Sequence, residues 1–202
     1  MTTHVAAHLA LHLSTGTHIS ERTATQGASV IATQQAFDAG AQTACALLRQ
    51  AIDAGLVVDK VLLACFGDPG LEAMRLITHA PVIGLARASL QVAERIGKPY
   101  AVVTAGAAWE AILVQRFKHW NASPLFCGVQ VIGGTGLDIF NNPVAALTAV
   151  ASATDAARRA GAKHIILGGA VFAGYKTVMQ AGGLDTQGLL DCVECAADVL
   201  MQ

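Results

Sequence analysis

The sequence predicts an α/β protein in which parallel strands are covered by helices on both faces. Short apolar runs have the length of buried strands and little polar alternation: residues 61–66, 81–85, 100–104, 129–133 and 165–167. Longer, Ala-rich segments with helical spacing surround them: residues 36–54, 71–78, 88–96, 107–120, 145–160 and 191–201. Strands that alternate with helices favour a parallel sheet.

Turn residues support these boundaries. Gly55, Gly97 and Gly161 each follow a predicted helix just before a strand, the usual place of a C-terminal glycine. Pro69 follows the strand at residues 61–66 and suits the first turn of the next helix.

An internal echo suggests two similar halves. Lys60 precedes the run VLLACFG, and His164 precedes the run IILGGAV. Each is a basic residue, an apolar strand and then small residues. Two such strand ends are expected to face each other across a cleft between two similar lobes.

Composition excludes several classes of protein. The chain has 202 residues, of which 53% are hydrophobic and 13% charged, with a net charge of −1. This balance argues against intrinsic disorder and against a basic surface for nucleic acid or an anionic membrane. The longest apolar run, residues 165–175, is shorter than the roughly 18 residues of a membrane span. We expect the apolar excess to fill a core or the interface of a homo-oligomer.

Two further compositional features concern the compartment. The amino-terminal segment has no Lys or Arg before Glu21, and histidines interrupt its apolar run, so it does not resemble a signal peptide. Five cysteines are too few for a disulfide scaffold, and the number is odd. The expected location is the cytoplasm.

The first twenty residues fit two structures. His4, His8 and His12 are spaced by four, which places them on one helix face and equally on one strand face. The Ala content favours the helix. The triplet is a candidate metal site, but no Cys or carboxylate lies nearby in sequence, so the preferred interpretation is a solvated stripe and no metal ligand is assigned.

Cys65 is the most informative single position. It lies at the carboxyl end of a predicted strand, where ligands of parallel α/β sheets bind. The N–H groups and dipole of the following helix would lower the pKa of its thiol and attract an oxygen of a ligand. The alternative is a buried cysteine that behaves as a small hydrophobe.

Residues 64–75, ACFGDPGLEAMR, resemble the signature of hydantoin racemases in the aspartate/glutamate/hydantoin racemase superfamily. Weaker resemblances lie upstream and downstream of this segment, in the same order as in the family: residues 22–24, 27–31, 81–85, 88–89, 102–104 and 189–193. Together with residues 64–75 they extend over most of the chain.

The resemblance implies an enzyme that uses no cofactor or metal and acts on a small molecule. It implies two similar lobes, each a parallel sheet flanked by helices, with the active site in the cleft between them. The first lobe would comprise residues 1–88 and 185–202, and the second residues 89–184. In such enzymes two cysteines face each other across an acidic carbon, and preorganised donors stabilise the resulting anion.

The family's roles transfer to matching positions. Cys65 corresponds to the first acid/base. The N–H groups of Phe66 and Gly67 and the hydroxyl of Thr104 would stabilise the anion, and Thr23 is a candidate substrate contact.

The chain departs from the family at the second cysteine. Gly169 stands at that position, in the segment LGGAVF, with Ala170 beside it as a candidate substrate-binding residue. A glycine has no side chain that transfers protons. The other thiols do not match the motif position and are expected to pack as ordinary residues: Cys127, Cys192 and Cys195. Tyr175 and Lys176 lie downstream and are candidates to enter the cleft.

Two further departures concern the first lobe. Arg87 stands where the family usually has a glutamate, which is either a surface change at a helix start or an altered preference for substrate charge. The family opens with a strand and an Asn-Pro-Asn-Thr-like loop, and this chain is expected to begin at or after that loop.

Three functions therefore compete. The leading hypothesis is a racemase or isomerase that moves a proton at the acidic carbon of a hydantoin or related amino-acid derivative, with Cys65 as acid/base. The second is a single-cysteine decarboxylase similar to arylmalonate decarboxylase. The third is a non-catalytic relative that binds such ligands.

Overall fold

The structure, a computed structural model, describes residues 1–28, 30–31 and 33–202. Its α-helices are α1 (Thr2–Ala10), α2 (Gln34–Asp53), α3 (Leu71–Arg75), α4 (Leu85–Ile96), α5 (Ala108–His119), α6 (Gly136–Asn141), α7 (Leu147–Arg159), α8 (Tyr175–Ala181) and α9 (Cys192–Leu200). Its strands are β1 (Val61–Leu63), β2 (Val82–Gly84), β3 (Tyr100–Ala105), β4 (Phe126–Ile132), β5 (His164–Leu167) and β6 (Leu189–Asp191), and a 3₁₀ helix spans Ala170–Phe172. Across the described residues, no helix is both long and apolar enough to span a bilayer.

The strands form two parallel sheets. β1 pairs with β2, and Leu62 lies opposite Ile83. The larger sheet has the order β4-β3-β5-β6, with Val103 opposite Leu167 where β3 meets β5. Helices follow the strands along the chain, so the predicted α/β architecture with parallel sheets and flanking helices is confirmed.

The core lies on both faces of the four-stranded sheet. All six residues of β3 are buried. Val102 and Ile166 contribute to one hydrophobic cluster together with residues of α4 and α9, whereas Val103 and Leu167 contribute to another on the α7 side. Alternate side chains of each strand thus pack on opposite faces, as the pleat requires. A third cluster, which includes Leu63 and Val82, surrounds the two-stranded sheet.

The amino-terminal segment forms a helix, as its Ala content predicts. α1 packs against α9, and its buried residues Val5 and Leu9 are one turn apart and join the cluster that includes Val193 and Ala196. The histidine-bearing segment is therefore held against the last helix of the chain.

The carboxyl-terminal segment contacts both sheets. β6 pairs with β5 in the four-stranded sheet, while α9 packs against α4 and touches β2. The division into lobes at residues 88 and 185 stays a prediction, as does homo-oligomerisation.

The end of α4 agrees with the sequence prediction. Gly97 is the C-cap residue and has the left-handed conformation that is typical there, with φ 69°.

Candidate active site

The turn that carries Cys65 connects β1 to α3. Cys65 is a free, half-buried thiol two residues beyond the last residue of β1. Its carbonyl accepts a hydrogen bond from the Asp68 N–H at 3.0 Å, which closes the turn. The thiol therefore lies beyond the carboxyl end of a parallel strand, as predicted.

Asp68 anchors this turn to another helix. It is fully buried, has φ 57°, and its two carboxylate oxygens accept the N–H groups of Ala86 at 3.0 Å and Arg87 at 2.7 Å. These are orphan donors of the first turn of α4. A Cβ at Gly84 would overlap the carboxyl group, so glycine is required there. Asp68 thus fixes the Cys65 turn against the start of α4, a role that the sequence analysis missed.

The electrostatics differ from the sequence prediction. Burial raises the pKa of Asp68 to about 7, although the two N–H bonds and the guanidinium groups of Arg116 and Arg75 oppose the shift. Burial, and secondarily the Asp68 carboxylate, raises the pKa of the Cys65 thiol to about 12. The expected lowering of the Cys65 pKa by the next helix was wrong, because α3 has five residues and desolvation dominates. In this structure the thiol holds its proton at neutral pH.

Two amide groups follow Cys65. In the described part of the chain, the N–H groups of Phe66 and Gly67 have no hydrogen-bond acceptor within the protein. Gly67 has φ 102°, and a Cβ there would lie 2.7 Å from the ring of Trp109. The Trp109 ring therefore covers this turn, and a ligand oxygen that reached the two donors would satisfy their hydrogen bonding.

The second strand end lies against the first. Gly168 follows β5, and a Cβ there would lie 2.6 Å from the Phe66 ring. The Gly168 carbonyl accepts the hydroxyl of the buried Thr104 at 2.7 Å. The internal echo in the sequence thus marks two neighbouring turns. The Thr104 hydroxyl donates to this carbonyl, and its role toward a ligand stays a prediction.

Gly169 and Ala170 open the 3₁₀ helix after β5. A Cβ at Gly169 would lie 3.3 Å from the ring of Phe172, and Gly169 has φ 159°, a backbone conformation that residues with a side chain rarely adopt. The thiol of Cys192 donates to the Gly169 carbonyl at 3.4 Å, and Cys192 is fully buried. This thiol packs behind the turn, as predicted for a cysteine outside the motif.

A pocket of about 270 Å³ lies beside the Cys65 turn. It is lined by Val30, Ile31, Ala105, Gly106, Ala107, Ala108, Trp109, Gly134, Thr135 and Gly136. These residues include the loops after β3 and β4, where parallel sheets bind ligands. Cys65 is not in the lining, but Trp109 contacts both the pocket and Gly67.

One sequence candidate, Thr23, stays apart from this group. Thr23 is exposed in the irregular segment between α1 and α2, and none of the described hydrogen bonds joins it to the Cys65 turn. Ser29, part of the segment that resembles the family, lies outside the described residues.

Tyr175 and Lys176 are engaged elsewhere. The buried Tyr175 donates its hydroxyl to the Pro143 carbonyl at 2.6 Å, and the Lys176 Nζ lies 3.6 Å from Glu194 Oε2. The expectation that they enter the cleft finds no support in these contacts.

Arg87 packs on an aromatic ring. Its Nη1 donates to the Trp120 carbonyl at 3.2 Å, and its guanidinium lies 5.7 Å from the centre of that ring. Arg116 stacks on the same ring at 4.7 Å. The half-buried Arg87 side chain is thus more than a surface change, and its effect on substrate preference stays a prediction.

Of the three amino-terminal histidines, His4 and His12 are exposed, as predicted for a solvated stripe, whereas His8 is not. His4 Nε2 lies 3.0 Å from the Ala173 carbonyl. The His8 side chain is only 12% exposed, and its Nε2 lies 3.3 Å from the buried carboxylate of Asp191. The fold also brings Glu194 beside His8 and His12, a carboxylate that sequence proximity could not indicate.

The sequence model of the family described as Asp/Glu/Hydantoin racemase matches residues 1–200. A hydantoin racemase of Paenarthrobacter aurescens is 27% identical over 118 residues, which are 58% of this chain and 50% of that protein. A hydantoin racemase of Rhizobium meliloti is 47% identical over 47 residues, 23% of this chain and 20% of that protein. The chain thus spans half or less of the length of the curated relatives it matches.

Solved structures share the fold. Allantoin racemase from Klebsiella pneumoniae superposes with a TM-score of 0.87 at 22% identity, covering 98% of this chain and 80% of that chain. Arylmalonate decarboxylase superposes with a TM-score of 0.54 at 15% identity, covering 82% and 77%. The two-lobed architecture of the racemase neighbours agrees with the fold expected from the sequence.

Proposed function

Because the chain belongs to the Asp/Glu/hydantoin racemase family, we propose that it is a cofactor-independent racemase or isomerase. It moves a proton at the acidic carbon of a hydantoin or a related amino-acid derivative, and Cys65 is the acid/base. One observation carries the proposal: the Cys65 thiol adjoins two N–H groups that have no acceptor among the described residues, at a turn that contacts the second strand end.

The chemistry requires these groups. Removing a proton from carbon beside a carbonyl moves the C–H electron pair into an enolate, whose negative charge rests on oxygen. The N–H groups of Phe66 and Gly67 would donate to that oxygen. The small thiolate fraction of Cys65 removes the proton from carbon, and the thiol that results can return it. Trp109 would shield the site from water.

The site is asymmetric about the acidic carbon. Cys65 serves one face, and Gly169 at the facing strand end has no group that accepts or donates a proton. Cys65 alone returns a proton to the face from which it came. Inversion then requires that water protonates the other face or that the substrate turns over between steps. Proton exchange should therefore outpace inversion.

A single-cysteine decarboxylase is the second candidate, favoured by Gly169 and by the protonated state of Cys65. The bond from the carbon to one carboxylate of a malonate would break and release CO₂, leaving the electron pair as an enolate. The Cys65 S–H bond would then break and its proton bond to carbon, and solvent would reprotonate the thiolate. Arylmalonate decarboxylase shares the fold.

The proposal is tested with one enantiomer of a 5-substituted hydantoin in D₂O. Wild type should introduce deuterium at carbon 5, and Cys65→Ala should exchange no faster than buffer alone. Cys127→Ala, which removes another half-buried thiol, is the matched control and should retain the activity. Equal exchange by wild type and Cys65→Ala would contradict the role of Cys65. Hydantoin binding without exchange would indicate a binding protein.

Gly169→Cys tests the asymmetry. The added side chain meets the Phe172 ring at 3.3 Å and strains the backbone at φ 159°, so the variant is assayed once its circular dichroism and Tm show that it is folded. With an acid/base on both faces, inversion should rise toward the rate of exchange. Incubation of wild type with a prochiral arylmalonate distinguishes the second candidate, because CO₂ release with an optically active product would favour the decarboxylase.

A further inference from the structure

We infer that His8, His12 and Glu194 form a binding site for a transition-metal ion of the zinc class where α1 meets α9. One nitrogen of each imidazole and one carboxylate oxygen lie within 4.8 Å of one another. The inference is independent of the proposed function, because none of the three residues belongs to the Cys65 turn or to the Gly169 turn.

The packing of α1 creates this cluster. Val5 and Leu9 bury one face of α1 in the core shared with α9, and His8 is adjacent to that face. His12 follows one turn later, just beyond the helix end, where its N–H still bonds to the Leu9 carbonyl at 3.0 Å. Glu194 lies in the first turn of α9. Histidines spaced by four present their rings on one side of a helical segment.

A buried carboxylate lies next to the His8 ring. Asp191 is fully buried and is itself held by the N–H groups of Gly174 at 2.7 Å and Val193 at 2.8 Å. Its Oδ2 lies 3.3 Å from His8 Nε2. This separation is an ion-pair contact and not a hydrogen bond, so the buried Nε2 has no hydrogen-bond partner among the described residues. A carboxylate behind the imidazole is the usual support of a metal-binding histidine.

The ligand types of the cluster suit zinc, and two of its side chains can move to bind the ion. Two imidazoles and one carboxylate suit Zn²⁺, Co²⁺, Ni²⁺ or Cu²⁺, whereas Mg²⁺ and Ca²⁺ prefer oxygen ligands alone. Ligand atoms around tetrahedral zinc lie about 3.4 Å apart, so the separations within the cluster must shorten by at most about 1.4 Å. The exposed His12 and the half-buried Glu194 can make that movement. Three protein ligands leave the fourth position to water.

One neighbouring cation opposes binding. Lys176 Nζ lies 3.6 Å from Glu194 Oε2. Its positive charge competes with the ion for the carboxylate and repels the ion itself. Removing this charge should therefore strengthen metal binding. Bound metal would fasten α1 to α9 and stabilise the folded chain.

The test is calorimetric titration of the metal-free full chain with Zn²⁺. We expect one equivalent to bind to wild type. His12→Ala and Glu194→Gln should each weaken binding at least about tenfold, since loss of a mere supporting residue already costs 10- to 100-fold. Lys176→Met should strengthen it. His119→Ala, an exposed histidine at the end of α5, is the matched control and should bind as wild type does.

Two readouts separate this site from the cysteines and from misfolding. Co²⁺ bound at the site should show visible d–d absorption without the charge-transfer band of a thiolate ligand. Zn²⁺ about 100-fold above its dissociation constant should raise Tm by roughly 5–10 °C in wild type, and not in a folded double variant that combines His12→Ala with Glu194→Gln. The inference is overturned if wild type binds no Zn²⁺, if the double variant binds as tightly, or if the thiolate band appears.

Discussion

Replacing Asp68 by asparagine should change how the stability of the protein depends on pH. Burial raises the pKa of this carboxyl from 3.8 to about 7 in the folded protein. The folded chain therefore binds the Asp68 proton more tightly than the unfolded chain does. The stabilisation from this proton is complete below about pH 3.8 and is lost as the pH rises through 7.

The magnitude follows from the shift. Each pKa unit corresponds to about 1.4 kcal/mol, so a shift of roughly three units amounts to about 4 kcal/mol in the free energy of unfolding. About 3 kcal/mol of this is lost between pH 5 and pH 8, because at pH 5 the unfolded carboxyl is already mostly ionised. Asparagine does not titrate, and its amide resembles the protonated carboxyl in shape.

The assay is urea denaturation of wild type and Asp68→Asn at pH 5, 6, 7 and 8. Other groups whose pKa burial raises, such as Asp191, titrate in both proteins and cancel in the comparison. From pH 5 to pH 8 the difference in unfolding free energy should move by about 3 kcal/mol in favour of the variant. If the unfolding free energies of the two proteins changed in parallel with pH, the raised pKa of Asp68 would be refuted.

Two further predictions concern glycine and tryptophan contacts. Gly84→Ala should overlap the Asp68 carboxyl group and release the start of α4, lowering Tm by roughly 5–10 °C for a loss of about 2–3 kcal/mol, and an unchanged melting curve would contradict this. Trp109→Ala should open the pocket beside Gly67, raising kcat/KM for hydantoins with bulky 5-substituents relative to 5-methylhydantoin, and an unchanged ratio would remove Trp109 from the substrate site.

Local patterns predicted most of the fold, because most elements are long enough to carry their own signal. β3 and α7 are apolar or Ala-rich runs bounded by glycine and proline, and the structure confirms them with boundaries moved by one or two residues. β6 escaped prediction because Leu189–Asp191 is only three residues long and becomes a strand by pairing with β5. α6 and α8 are short helices without a distinctive period, and they too depend on their neighbours.

The candidate site also has a part that the local sequence predicted and a part that it did not. The position of Cys65 beyond a strand was readable from the chain, because the strand and turn are contiguous. The role of Asp68 was not, because it caps a helix that begins 17 residues later at Leu85, and the only sequence signal is the small Gly84 opposite it. The cluster of His8 and Glu194 requires α1 to pack on α9, which no local pattern indicates.

The protonation state of Cys65 gives a last prediction, on the reactivity of its thiol. Only the thiolate reacts with iodoacetamide, and a pKa of about 12 leaves on the order of 10⁻⁵ of Cys65 as thiolate at pH 7. Alkylation should then be on the order of a thousandfold slower than that of an ordinary cysteine peptide, whose pKa is about 8.5–9. Asp68→Asn removes the secondary cause of the raised pKa and should accelerate alkylation, whereas desolvation persists. Peptide mass spectrometry distinguishes Cys65 from Cys127, which is half-buried and serves as the internal reference for access. Rapid alkylation of Cys65 at pH 7 would mean that the free site holds a thiolate and acts first as a base.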